Sequence, residues 1–447
     1  MIYPEIAALS KEDLNLLLNE YRNNNHINAQ NSEKYGVKRG LRNSDGTGVL
    51  AGLTNICDVV GYERKDDQII PIDGKLIYRG IDMEELVKEA MINDRFMFEE
   101  VVWLLLFGKR ASNEHLKKFK AMLEEHRELP NGFAETMIMN APSPNIMNKM
   151  ARSVLAMYSY DEKADDTSLE NVMKQSINLI AQLPTMMIYA YQSYRHTYLH
   201  QSLYFHYPKH GLSTAEHILD IYRPDQKFTH EEAKLLDLCM MVHADHGGGN
   251  NSTFADRVLS STGTDTYSAI SAAIGSLKGP KHGGANLKVM EQLDDILKHV
   301  DDVHDDEKVK DFLRKIMNKE AGDKSGLIYG IGHAVYTKSD PRAQVIKKYS
   351  KDLAYEKGLD REYEMLCQVE KLAPEIFAEN NSSGKNVCAN VDLFSGLVYR
   401  ILGIDEELYT PIFAISRVAG WCAHRMEEIE FSRRIIRPAY RYIEGDE

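Results

Sequence analysis

The chain has 447 residues, 43% hydrophobic and 27% charged, a globular balance with apolar material for a large core and length for two or three domains. Its 54 Lys and Arg against 67 Asp and Glu give a net charge of −13, which excludes general nucleic-acid binding, because that needs a basic face. Anionic small substrates stay open, since a few clustered arginines bind them locally.

No targeting or membrane segment is read. The start, MIYPEIAALSKEDLNLLL, carries acids where a signal peptide is apolar. The densest apolar run, VVWLLLF at 101–107, is too short to span a bilayer. Five scattered cysteines without a CxxC argue against disulfides or structural zinc and fit a reducing cytoplasm.

Ser10 is read as the N-cap of a first helix, with Leu14, Leu17, Leu18 and Tyr21 on one face. A polar, Asn-rich connector comes next, and glycines keep 36–53 irregular. QIIPIDGKLIYRG at 68–80 is the best strand signal, with Asp73-Gly74 read as a hairpin turn. Helical periodicity dominates from Asp82 onward. Phe98 to Phe107 is apolar nearly all round and predicts a buried helix. Helices are also expected at 144–158 and 170–194. Thr229-His-Glu-Glu232 is a capping box opening a central helix through Val242. Small residues in 265–278 predict close helix packing, and the acids of 286–300 and 306–320 predict solvated amphipathic helices. No repeat and no strand–helix alternation is present, so the expected fold is all-α and multihelical, with a small β-hairpin near the N-terminus.

Four histidines lie just beyond helical segments in Gly-rich settings: His243 and His246 in HADHGGGN, His282 in GPKHGGAN, His333 in GIGHAVY. Such places suit hydrogen bonding and proton transfer. The plain alternative is a helix-terminal His with a Gly stop. HxxH without HExxH or a Cys partner is a poor metal signal, and GGG without GK[ST] is no phosphate loop. The three glycines at 247–249 should loosen their segment unless a neighbour packs on them.

Arg342 (SDPRAQ), Arg417 (FAISRVAGW) and Arg437 (IIRPAY) form a second set. An Arg on an apolar helix must be paired. Its partner is either a protein acid in a buried salt bridge or a bound carboxylate clamped by forked hydrogen bonds. Asp392, in CANVDLFSG, reads by itself as the N-cap of the helix after it.

Taken together, these motifs resemble those of citrate synthases of the widespread bacterial and mitochondrial type. YRGID at 78–82, FEEVVWLLLFG at 98–108, SVLAMYSYD at 153–161 and LIAQLPTMMIYAY at 179–191 belong to the same ordered set. So do HADHGGGN, GPKHGGAN, GIGHAVYTKSDPRA, NVDLFSG, FAISRVAGW and the RP at 437–438. Only the first forty or so residues lie outside it.

The resemblance implies a two-domain helical homodimer with its site in the interdomain cleft. The large domain would comprise 1–284, including an extension over 1–40, and 401–447; the small domain would be 285–400. It implies condensation of acetyl-CoA with oxaloacetate and hydrolysis of the thioester, with no metal and no cofactor. Asp392 matches the base. His282 matches the neutral donor to the thioester oxygen, which requires a depressed pKa. His333 matches the group polarising the ketone. His246, Arg342 and Arg417 match the oxaloacetate contacts, and Arg437 would come from the neighbouring subunit. Lys385 and Lys338 are candidate coenzyme A contacts, or plain surface lysines. Phe413 matches an aromatic near the cleft, or is plain core. The alternatives are a 2-methylcitrate synthase using propionyl-CoA in the same site, a metal-dependent hydrolase built on His243, His246 and His282, and a non-catalytic scaffold.

Overall fold

A computed structural model describes residues 9–28, 30–66, 68–380 and 386–443. Residues up to Ala51, with those from Ile436 onward, form one compact unit; Gly52–Ile435 form the other.

In the first unit, α1 (Lys11–Asn24) starts where Ser10 accepts the Asp13 N–H, and α2 (Asn31–Lys34) is one short turn. The stripe of Leu14, Leu17, Leu18 and Tyr21 forms, but no residue of α1 is buried.

The second unit opens with an antiparallel sheet of β1 (Cys57–Lys65), β2 (Gln68–Tyr78) and β3 (Ile81–Asp82), in that order. Here the structure corrects the sequence reading. Asp73-Gly74 is not the hairpin turn, because it lies inside β2, which pairs with β1 on both sides of it, at Gln68–Pro71 and Lys75–Tyr78. The register slips between Val60, opposite Lys75, and Tyr62, opposite Pro71, so β2 carries a bulge across from Gly61. The bulge seats a distant loop. Gly74 N–H donates to the Ser339 carbonyl at 3.2 Å. A Cβ on Gly74 would lie 2.3 Å from Ser339 O, and one on Gly61 would lie 2.5 Å from Val335 O. Both positions need glycine for this close approach.

The rest is helical: α3 (Met83–Ile92), α4 (Phe98–Phe107), α5 (Asn113–Glu125), α6 (Ile146–Met157), α7 (Leu169–Tyr198), α8 (Thr214–Tyr222) and α9 (His230–His243). Then come α10 (Asn251–Ser260), α11 (Thr266–Leu277), α12 (Ala285–His299), α13 (Asp306–Met317), α14 (Pro341–Glu356), α15 (Asp360–Asn380), α16 (Asp392–Ile401) and α17 (Tyr409–Glu427). Local chemistry sets where they start. Ser213 and Thr229 close capping boxes on α8 and α9, and Asp82, Asp265 and Asp340 cap α3, α11 and α14. On α4, Val101, Val102 and Leu104–Leu106 are buried; α12 and α13 each bury one apolar face, including Leu293 and Phe312.

The core centres on α17, which is buried on every side over most of its length and packs against α7, α4 and α9. No helix among the described residues is long and apolar enough to cross a membrane.

Candidate active site

Two segments far apart in sequence bring His333 and Asp392 together. Gly332 N–H donates to Cys388 O and Asn390 N–H to Gly330 O, both at 2.8 Å, a short antiparallel bridge. Asn390 then ties off both ends: its side-chain amide donates to Gly332 O, and its Oδ1 accepts the Asp392 N–H at 3.0 Å. Asp392 is therefore not the cap of α16. It is the first residue of that helix, after Val391 at the N-cap, and its N–H is taken by the Asn390 side chain. The Asp392 carboxylate is released from local work. Its Oδ1 is sealed from solvent and has no hydrogen-bond partner. Burial pushes its pKa up to about 7, against the pull of Arg342 and Arg417. An ordinary carboxylate, near 4, is a far weaker base.

His333 is held by its own loop. The N–H groups of Val335 and Tyr336 both donate to Nδ1, at 3.1 and 3.0 Å. Nδ1 thus acts as an acceptor, and Nε2 lies 3.5 Å from the Arg342 guanidinium. The ring stacks on Tyr336 at 4.7 Å. Behind it, the glycine-lined hairpin grips residues 335–339.

The two arginines differ. Arg342, at the start of α14, is forked onto buried Asp340, Nε to Oδ1 at 3.0 Å and the terminal nitrogen to Oδ2 at 2.7 Å. This pair is legible in hindsight, since Asp340-Pro341 is an N-cap followed by a first-turn proline. Arg417 makes no ion pair among the described residues. It is fully buried on α17, with Nε donating to His243 O at 2.6 Å, while both terminal nitrogens lack a hydrogen-bond partner among the described residues. Burial lowers its pKa to about 10 despite the opposing charge of Asp245. Of the two sequence readings of Arg417, the internal salt bridge finds no acid partner among the described residues. A buried guanidinium with two unused donors has the chemistry to take an anion.

His282 sits in front of the N-terminus of α10. Ser252 N–H donates to its Nε2 at 3.3 Å, and the Ser252 hydroxyl lies 3.1 Å from the same nitrogen. Trp421 fixes that hydroxyl by donating to it at 3.2 Å. With Nε2 occupied as an acceptor, the ring proton belongs on Nδ1. Burial and the nearby Arg417 charge depress the pKa of His282 to about 4.

His246 is buried, with Nε2 unpartnered and its ring edge-on to His333 at 5.1 Å. Burial, then Arg342, His333, Arg417 and His282, drive its pKa well below normal. His243 is buried 4.4 Å from Phe413, with neither ring nitrogen bonded. Neighbours do pack on the glycine run. A Cβ on Gly247 would come within 3.3 Å of Val59, and one on Gly248 within 3.2 Å of Arg257.

Other sequence candidates lie apart. Lys338 is ion-paired with Asp73 at 2.7 Å, both exposed. Lys385 lies outside the described residues. Arg437 is exposed and belongs to the first unit. Phe413 is buried on α17, with the Arg417 guanidinium 4.8 Å from its ring. Sequence reasoning missed Ser252, Asp340, Asn390 and Tyr336, which orient the others.

The sequence model of the family described as "Citrate synthase, C-terminal domain" matches residues 43–439. The chain is similar to a citrate synthase of Haloferax volcanii, 35% identical over 380 residues, covering 83% of this chain and 89% of that one. It is also similar to a 2-methylcitrate synthase of Shewanella oneidensis, 32% identical over 372 residues, covering 82% and 88%. Among solved structures, it resembles a ternary complex of citrate synthase from Thermoplasma acidophilum with carboxymethyl coenzyme A and oxaloacetate. The TM-score is 0.75 and the identity 25%, over 92% of this chain and 97% of that one. Citrate synthase from Pyrobaculum aerophilum gives a TM-score of 0.72 at 29% identity, over 89% and 91%. With a family match across nearly the whole chain, the protein belongs to the citrate synthase family.

Proposed function

We propose that this enzyme, an acyltransferase, condenses acetyl-CoA with oxaloacetate and hydrolyses the resulting thioester to citrate and coenzyme A. The observation that carries the reading is Arg417: a fully buried guanidinium with two donors unspent, among neutral histidines and an unpartnered carboxylate. Oxaloacetate supplies the missing anion. Arg417 and the free edge of Arg342 take its carboxylates, and His246 adds a neutral contact. The Nε2–H of His333 meets the ketone oxygen.

The second substrate needs a base and an oxygen-binding donor. The Nδ1–H of His282 bonds the thioester oxygen of acetyl-CoA. Asp392, with its raised pKa, takes a proton from the methyl carbon. The enolate so formed, stabilised by the Nδ1–H of His282, attacks the ketone carbon, making the new carbon–carbon bond. His333 passes its Nε2 proton to the resulting alkoxide. Water then cleaves the thioester and releases coenzyme A. No added cofactor enters the condensation, because each of its proton movements has a protein group to carry it.

The finer reading is that of the family. The cleft lies between a large domain (1–284 and 401–447) and a small one (285–400), and closure shuts out water. The enzyme acts as a homodimer, with Arg437 contributed across the interface to the neighbouring site. Lys338 and Lys385 meet coenzyme A, Lys338 by exchanging its exposed Asp73 partner for a phosphate. A cytoplasmic location is supported by five free cysteines, four of them buried.

Propionyl-CoA is the second reading, favoured by the similarity to a 2-methylcitrate synthase. It keeps every role above and changes only the room beside the methyl group. The function is tested with Asp392→Asn. The variant is expected to bind oxaloacetate, seen as a raised melting temperature, yet to release no coenzyme A above background. Release at the wild-type rate would contradict the assignment.

A further inference from the structure

Behind the site lies a buried polar chain that none of the roles above uses. Asp245, between the two histidines of HADHGGGN, is fully buried. Its Oδ2 accepts the Nε2–H of His424 at 3.0 Å and the Gly247 N–H at 3.3 Å. The tautomer of His424 is fixed from its far side, where the Arg257 guanidinium donates to Nδ1 at 2.7 Å. Arg257 is itself neutralised by Glu427 and by Glu428, the latter at 2.8 Å. Burial alone would raise the pKa of Asp245, but His424 and Arg417 hold it down to about 2.

This chain joins two elements that carry substrate-facing groups. Arg417, Gly420 and His424 are spaced three and four residues apart, so they share one face of α17. That face meets residues 243–247 at three points. Arg417 donates to His243 O, Gly420 N–H donates to Ala244 O at 3.2 Å, and His424 donates to Asp245. Gly420 is required for the fit: a Cβ there would stand 2.5 Å from Asp245 Oδ1 and 2.6 Å from Ala244 O. Asp245 also shapes the next two residues. Its bond to Gly247 N–H closes the turn in which Gly247 takes a φ of +79°, and that turn aims the His246 ring.

We propose that Asp245 is a positioning residue for oxaloacetate: through His424 it locks the turn carrying His246 in register with the helix carrying Arg417. The inference rests on the function proposed above. It adds a residue that touches no substrate and whose loss weakens oxaloacetate binding more than the chemical step.

The test is steady-state kinetics on the full-length enzyme, per folded molecule, with melting temperatures measured alongside. Asp245→Ala is expected to raise the KM for oxaloacetate by about tenfold or more, with a smaller change in kcat. Asp245→Asn, whose amide oxygen still accepts from His424, should recover most of the loss. His424→Ala should raise the same KM, and the double alanine variant should be no worse than Asp245→Ala alone, because both break one contact. Gly420→Ala supplies an independent arm: it displaces the same turn with the carboxylate intact, so it should raise the KM too, and it serves if Asp245→Ala does not fold. Unchanged KM in Asp245→Ala and Gly420→Ala, or strict additivity in the double variant, would overturn the proposal while leaving the function standing. A wild-type enzyme that releases no coenzyme A with oxaloacetate would instead overturn the function, and this inference with it.

Discussion

The backbone N–H of Ser252 points at Nε2 of His282 across 3.3 Å. That contact decides which ring nitrogen of His282 is left to donate. Ser252 lies in the first turn of α10, where helix N–H groups have no partner within the helix. One of them is satisfied by imidazole, so the imidazole cannot carry a proton on that nitrogen. The positive end of the helix also opposes an imidazolium there.

His282 should therefore be neutral and protonated on Nδ1 at every pH at which the enzyme works, with its pKa held near 4 by burial and Arg417. Nitrogen-15 NMR of the ring in labelled protein reads this directly. A proton on Nε2, or an imidazolium at neutral pH, would contradict the oxygen-binding role. His282→Ala should lower kcat by roughly 10²–10³, the usual cost of one such donor.

Asp392 must be ionised to act as a base, and its pKa in the free enzyme is about 7. The kcat/KM for acetyl-CoA should rise with unit slope up to about pH 7 and then level off. Asp392→Asn should lower kcat by about 10²–10⁴. Stability moves the opposite way. The folded pKa lies above the unfolded one, so the native state binds more protons between about pH 4 and 7, and stability falls as pH rises through that window. Asp392→Asn removes this slope. Its stability relative to wild type, read from the melting temperatures, should climb from pH 5 to pH 8 by an amount on the order of 2–4 kcal/mol. A constant difference would show that the carboxylate is not raised.

Arg417→Met separates binding from folding. The guanidinium gives up one bond, to His243 O, and leaves two donors unsatisfied. Replacing it with an apolar chain should leave the melting temperature without substrate within about 3 °C of wild type or above it. The KM for oxaloacetate should rise by roughly 30- to 1,000-fold, the loss of about 2–4 kcal/mol of buried charge pairing. The melting-temperature increase on adding oxaloacetate should vanish. A large drop in stability with normal binding would place Arg417 in the fold rather than the site.

Gly74→Ala tests the hairpin as a support for His333. The added methyl would meet the Ser339 carbonyl at 2.3 Å, so the loop or the strand must move. A stability loss of about 1–3 kcal/mol is expected, with kcat lowered alongside. Normal kcat in a folded Gly74→Ala variant would show that the grip on residues 335–339 does not reach the site.

The side chains proposed to carry the chemistry stand out in the sequence because each sits in a short Gly-rich or Pro-flanked motif, as His282 does in GPKHGGAN. Helix starts such as Thr229 were legible because a cap is local. The groups that orient the side chains were not. Ser252 lies thirty residues before His282, and Asn390 works on a strand-like bridge back to Gly330 and Gly332; neither pairing leaves a mark in one sequence. Asp73-Gly74 misled for a physical reason. Glycine after aspartate signals a turn when the chain needs a positive φ, but here the glycine makes room for another backbone. Asp392 misled in a related way, since it stands inside the helix and the Asn390 side chain two positions upstream takes its N–H.

The central claim is that the enzyme builds citrate. It is tested most directly by measuring oxaloacetate-dependent release of free coenzyme A, with acetyl-CoA and propionyl-CoA compared at equal concentration and the product identified. The predicted result is a clear preference in kcat/KM for acetyl-CoA, with citrate formed in step with coenzyme A. A preference for propionyl-CoA, or no release with either, would contradict it.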